Sequence, residues 1–386
     1  MYNLETIIEE NMAKALSRSA HNHQEKGQLD IAIRLYLQAL QIREELFKIN
    51  QAYYQPSLIE TLNSLALIYQ EGNRYYSSIK YYKKAISIIK KTLSNNPIRC
   101  TYLLAQNYTS IANLYRRSYK YLQASFFYNK ALKAYKSLPK KDFTKSQTKI
   151  LSIYNYLTII GNEKNKFQET KNAYMGALGI YQNLLNDKTD KYKPQLAITL
   201  YNLASLYFRH NREQRAEEVY LLTLEILLYL SKKNPTPYKE ILASSIHNMA
   251  QIYDSQHKYQ DALAGYRTAL KHYIDLAEDN PTEFAPYVAK VFKHIASFYI
   301  KHEKKENAQY FHLKSIELYT ELNHYNEHVY GLKLASSIIE GVAYYDQHTL
   351  SLYQAEAIIK KYDENSKKDE LLEQIHYLRE ERSVVL

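Results

Sequence analysis

Between Leu62 and Ile86, apolar and small side chains fall into two runs at helical spacing. Leu62, Leu65, Ala66 and Tyr69 form one stripe, and Ser78, Ile79, Tyr82, Ala85 and Ile86 a second. Steps of three and four residues put each run on one face of an α-helix. A polar turn, Gly72-Asn73-Arg74, separates the runs, with counterparts at Gly27 and at His210-Asn211-Arg212. The pattern predicts a helical hairpin closed by a tight tip.

The hairpin recurs. Ala20, Ala66, Ala112, Thr158, Ala204, Ala250 and Ala296 follow one another every 46 residues. Twelve residues after each lies a second small residue: Ala32, Ser78, Ala124, Thr170, Ala216, Ala262 and Ala308. A third series, from Ala39 and Ala85 to Ser315, lies seven further on. Tyrosines keep the step too, at Tyr36, Tyr82, Tyr128, Tyr174, Tyr220 and Tyr266, and at Tyr69, Tyr115, Tyr207, Tyr253 and Tyr299. A one-residue slip would bring Ala343 and Ala355 into an eighth unit. A fixed long period means a repeat architecture. Small residues let paired axes approach, and tyrosines fill the space between neighbouring hairpins. Asn-Pro pairs at 96–97, 234–235 and 280–281 mark breaks between units, and Pro56, Pro194 and Pro286 share a column that suits a first helical turn.

These residues resemble the tetratricopeptide signature, W-x2-L-G-x2-Y followed by A-x3-F, at Leu62, Leu65, Ala66, Tyr69, Ser78 and Tyr82. Apolar residues replace the tryptophan, and Lys90 stands where a proline closes the usual unit. Units such as 200–220 are similar to kinesin-light-chain repeats and to the long repeats of bacterial signalling proteins. The resemblance implies an all-α, right-handed solenoid of about eight hairpins over residues 1–366, with 367–386 as a capping helix. It also implies that the first helix of each hairpin lines a concave groove. Asn63, Asn113, Asn155, Tyr201, Asn202, His247, Asn248 and Gln251 then become candidate groove residues. Their amide, hydroxyl and aromatic groups suit the backbone of an extended peptide or helix. Chaperone-binding members grip a terminal carboxylate with lysine and asparagine in two of these columns. No repeat here pairs those residues there, so that mode is not expected.

Composition narrows the chemistry. The chain of 386 residues has 41 tyrosines, no tryptophan and only eight glycines. It has no glycine-rich phosphate loop, so no nucleotide cofactor is expected. HYNEH, from His324 to His328, matches a zinc-peptidase spacing but falls where two units join, so neither a metal nor catalysis is expected there. The single cysteine, Cys100, suits a reducing compartment. The acidic start MYNLETIIEENM has no signal-type apolar run. The most apolar segment, residues 220–230, is too short to span a bilayer. A cytoplasmic location is the expectation.

Charge is uneven. Residues 73–149 hold seventeen Lys and Arg against one acid, Asp142, and eleven tyrosines. The chain as a whole is +11. Lys83, Lys84, Lys90, Lys91, Arg99, Arg116 and Arg117 are candidates for a basic patch. An outward basic strip suits an acidic protein partner. RNA or DNA is the alternative, since cations interleaved with aromatics serve single strands. A sensor subunit working with a separate effector is another. The expected function is a non-catalytic scaffold or adaptor with a peptide groove and a basic flank.

Overall fold

The structure of the protein, a computed structural model, describes residues 4–94, 96–185, 190–345, 349–362 and 366–383. Among them are seventeen α-helices and no strand: α1 (Leu4–Glu25), α2 (Leu29–Ile49), α3 (Gln51–Glu71), α4 (Tyr75–Lys91), α5 (Pro97–Arg117), α6 (Tyr121–Lys136), α7 (Lys140–Glu163), α8 (Phe167–Leu185), α9 (Lys193–Arg209), α10 (Glu213–Lys233), α11 (Lys239–Ser255), α12 (Tyr259–Asp279), α13 (Pro281–Lys301), α14 (Lys305–Tyr325), α15 (Glu327–Tyr345), α16 (Thr349–Ile359) and α17 (Ser366–Ser383). The fold is an all-α helical-repeat solenoid in which successive helices pair as hairpins. The chain divides into two compact units, Met1–Asn183 and Leu184–Leu386.

The small-residue columns are the contact lines inside each hairpin. Ala20, Ala66, Ala112, Ala204, Ala250 and Ala296 are fully buried, as are the residues twelve further on. The Ser78 hydroxyl donates to the Ala66 carbonyl at 2.6 Å, across the gap those small residues leave open. Between α7 and α8 the approach is closer still. A Cβ on Gly161 would stand 2.2 Å from Oγ1 of Thr170, so glycine is required there. Tyr36, Tyr82, Tyr128, Tyr174, Tyr220 and Tyr266 are all buried. Tyr69 stacks on Tyr81 at 5.4 Å, Tyr115 on Phe127 at 5.6 Å and Tyr299 on Phe311 at 5.8 Å. Side chains of this size dominate the apolar area that a hairpin removes from water.

Among the described residues, seven tips close by one device. Gly27, Asn73, Tyr119, Asn165, Asn211, His257 and Glu303 adopt left-handed backbone, with φ between 49° and 73°. The amide after each returns to the helix it leaves, as Arg74 does to the Tyr69 carbonyl at 2.8 Å and Lys258 to Tyr253 at 2.8 Å. This six-to-one closure satisfies a carbonyl that the helix end would leave open. Glycine and asparagine adopt the conformation with little strain, whereas Tyr119 costs about 1 kcal/mol.

Two sequence expectations are corrected. Asn50 caps α3 through its side chain, which accepts from the Tyr53 amide at 3.1 Å, and Asn280 stands at the same N-cap position before α13 without such a bond. These helices therefore start early, and Pro56 and Pro286 lie inside them rather than in the first turn. Of the three prolines in that column, only Pro194 sits at a helix start. In the last hairpin Val342 is buried and Ala343 is exposed. The 46-residue step from Ala296 thus continues to Val342, and the extra residue falls between Val342 and Ala355. Beyond it, Leu371, Ile375 and Leu378 of α17 join the core of α15 and α16. Residues 384–386 lie outside the described residues.

Candidate interaction surfaces

Polar groups on the first helices meet the column tyrosines from behind. In the first unit, Tyr128 donates to Oδ1 of Asn113 at 2.6 Å. Asn63 is half-buried, its Oδ1 enclosed without a partner, and Asn155 is exposed. In the second unit, the Tyr220 hydroxyl accepts from the Asn248 amide at 2.7 Å and shares a hydrogen bond with Ser205 at 2.8 Å. Gln251 in turn donates to Asn248 at 3.3 Å. Tyr201 lies tilted against Tyr220, with ring centres 6.1 Å apart, and Asn202 is half-buried. Burial pushes the Tyr128 and Tyr220 hydroxyls well above the ordinary phenol value, so both remain neutral donors. Several groove candidates therefore already serve a buried hydroxyl.

His247 does not line a surface. It is 3% exposed, and its Nε2 shares a proton with Nδ1 of His294 at 2.8 Å. Tyr266 and Tyr273 flank its ring. Burial lowers both imidazoles, helped by the charge of Lys290, and His294 falls to about 3. The position shares a column with Asn63 and Asn155, but its neighbour 47 residues on turns it into a core residue. Sequence periodicity had no way to show that pairing.

The basic block lies in the first unit. Lys83, Lys84, Lys90 and Lys91 project from α4 and are exposed, as are Arg99 and Arg117 on α5. Lys84 pairs with Glu44, and Arg74 with Asp30 at 2.9 Å. No ion pair is made by Lys83, Lys90, Lys91, Arg99 or Arg117 among the described residues. Other cations of the block lie over rings. Arg116 stands 4.5 Å above Tyr156, Lys130 4.2 Å above Phe126 and Lys149 4.8 Å above Tyr102. Such contacts hold the side chains while leaving their charge uncancelled. A cleft of about 720 Å³ opens between α6, α7 and α8, lined by Lys133, Lys136 and Glu169 around Tyr154 and Leu157. Sequence reading had not singled out this cleft.

The HYNEH segment is divided between helices. His324 lies in the last turn of α14 and bonds the Thr320 carbonyl at 2.7 Å, whereas Glu327 and His328 begin α15 beyond Asn326. Its two histidines therefore do not share a continuous helical turn. No group of three metal-ligating side chains occurs among the described residues. No helix among them is long and apolar enough to cross a membrane.

Comparison with known proteins follows the repeat. The tetratricopeptide-repeat family model matches residues 11–91, which span α1 to α4. No curated protein matches the chain. Among solved structures, it is similar to BtubC (BKLC) from P. vanneervenii, at 19% identity over 64% of this chain and 91% of that one, with a TM-score of 0.43. It is similar to YrrB, described as a TPR protein with an unusual peptide-binding site, at 16% identity over 60% of this chain and 91% of that one, with a TM-score of 0.36. A putative kinesin light chain from Podosopora anserina, with nearly identical TPR-like repeats, is 17% identical over 58% of this chain and 98% of that one, with a TM-score of 0.38.

Proposed function

We propose that this chain, a tetratricopeptide-repeat protein, is a non-catalytic scaffold that docks an acidic protein partner on the basic face of its first unit. The supporting observation is the excess of positive charge in residues 73–149, seventeen cations against one acid, of which only Arg74 and Lys84 form ion pairs among the described residues. Desolvating a cation at an interface is favourable only where the partner supplies an anion, so this face selects acidic surfaces. Lys83, Lys84, Lys90 and Lys91 form its centre on α4, with Arg99, Arg116 and Arg117 beside them on α5. An extended peptide is bound separately, along the first-helix face, by Asn63, Asn113 and Asn155 in the first unit. Tyr201, Asn202, Asn248 and Gln251 play the same part in the second. His247 supports that face from within. A cytoplasmic protein needing no cofactor fits this role.

The test is fluorescence anisotropy of a labelled polyglutamate peptide and of mixed-sequence RNA and DNA, at low and near-physiological salt. The acidic peptide is expected to bind, and reversing Lys83, Lys84, Lys90 and Lys91 to Glu should weaken it at least tenfold. Tighter binding of RNA or DNA that survives near-physiological salt with a steep salt slope would replace the protein partner with nucleic acid. Binding of neither would remove the basic face as a site.

A further inference from the structure

We infer that an apolar cleft in the second unit, between α12, α13 and α14, receives a partner-protein helix whose apolar anchors are flanked by lysine or arginine. The inference is independent of the basic face. The cleft measures about 720 Å³, and Ile274, Ala285, Val288, Leu318, Leu322 and Tyr325 supply most of its wall. Tyr325 is 81% exposed and Ile274 40%, although both belong to otherwise apolar helix stripes. From Leu318 to Tyr325, α14 lines the cleft for about 10 Å at 1.5 Å per residue. That is two turns of a docked helix presenting side chains at i, i+3 or i+4, and i+7.

Charge chooses the occupant. The only ionisable acids or bases of Lys, Arg, His, Asp and Glu type in the lining are Glu278 and Glu321, both exposed. Neither forms an ion pair among the described residues. Asp275 and Asp279 lie on the same end of α12, and Glu283 begins α13. Carboxylates in the last turn of a helix oppose its dipole, where bases are favoured. α4, α6 and α10 follow that preference with Lys90 and Lys91, Lys133 and Lys136, and Lys232 and Lys233. α12, like α3, α7, α8 and α11, has no base in its last turn, so nothing on that turn offsets Glu278 and Asp279. Apolar walls and two carboxylates without ion pairs together select a helix that is apolar on one face and cationic at its edges.

The test uses the full chain and a fluorescein-labelled 18-residue amphipathic helix of leucine and lysine. A scrambled peptide of the same composition and a leucine–glutamate helix serve as controls. The leucine–lysine helix is expected to bind at least tenfold more tightly than either control at near-physiological salt. Glu278→Lys with Glu321→Lys should weaken it at least tenfold, and Ala285→Phe should do so by filling the cleft. The exposed pair Glu278→Gln and Glu321→Gln keeps the test decisive if Ala285→Phe unfolds, as circular dichroism would reveal. Charge reversal of the α4 lysines should leave this binding unchanged, which separates it from the acidic-partner surface. Equal binding of the scrambled peptide, or binding that survives both glutamate variants, overturns the inference. Self-association of the chain that these variants abolish would also overturn it, assigning the cleft to a second copy.

Discussion

The two units build the same hairpins and differ in their balance of charge. Met1–Asn183 carries twenty-six Lys and Arg against twelve Asp and Glu, and Leu184–Leu386 twenty-five against twenty-eight. In the second unit the cations find acids. Lys193 and Lys233 share Asp190, Lys258 meets Glu217, Lys293 meets Glu340, and Lys301 meets Asp254. In the first, Lys84 meets Glu44 and Arg74 meets Asp30, while Arg116, Lys130 and Lys149 lie over aromatic rings. Each unit also has a cleft of about 720 Å³, one with Lys133 and Lys136 on its rim and the other with Glu278 and Glu321. The repeat thus fixes the packing positions and leaves the outward positions free to diverge. Shared core and divergent surface can be tested separately.

The largest expected effect lies in what the units share. Tyr128 and Tyr220 occupy one column and are both fully buried. Tyr128→Ala and Tyr220→Ala should each cost about 3–5 kcal/mol, measured by denaturant unfolding. A difference of more than about 2 kcal/mol between them would show that the two units do not pack equivalently.

An intermediate effect should be confined to the second unit. His247 and His294 are held neutral, with His294 lowered to about 3 against an unfolded value near 6.5. The folded values lie below the unfolded one, so this stabilisation is complete above pH 6.5 and is lost as pH falls toward 3. Hydrogen-exchange protection in α11 and α13, taken relative to intrinsic exchange at each pH, should fall across that window more than in α5 and α6. Equal loss of protection in both units would assign the acid sensitivity elsewhere.

The smallest effect concerns the tips. Tyr119 in the first unit and Glu303 in the second hold left-handed backbone with φ of 55° and 56°. Tyr119→Asn and Glu303→Asn should each stabilise by up to about 1 kcal/mol, seen as a raised thermal midpoint. A loss on Tyr119→Asn would mean that its ring, which meets Tyr121 edge-on at 6.2 Å, contributes more than the strain removes.

Much of this architecture was legible because packing repeats and therefore writes a period. The columns of small residues and tyrosines identify the hairpin contacts before any coordinates are known. Pro56 and Pro286 misled because the start of a helix depends on where its cap stands, and Asn50 and Asn280 stand earlier than the proline column suggests. Ala343 misled because a small residue was expected where the core in fact takes Val342. The candidate surfaces were less readable. His247 is buried by a residue on another helix, and Asn113 and Asn248 face a hydroxyl that belongs to the second helix of a hairpin. The acidic cleft did leave a signal, the segment IDLAED at 274–279, whose charges disagree with the helix end they occupy.

The left-handed tip also governs where the chain can change length. One residue added inside a hairpin rotates the second helix by about 100° relative to the first. That would carry its small column off the contact line, as Ala124 would be carried away from Ala112. Links between hairpins carry no such constraint: α3 follows a single residue, Asn50, whereas a short 3-10 turn at Thr236–Tyr238 precedes α11. In the last hairpin the interval from Val342 to Ala355 is thirteen rather than twelve. Insertions and deletions in related chains should accordingly collect in the links and at this final hairpin, while the first seven tips keep their length to the residue.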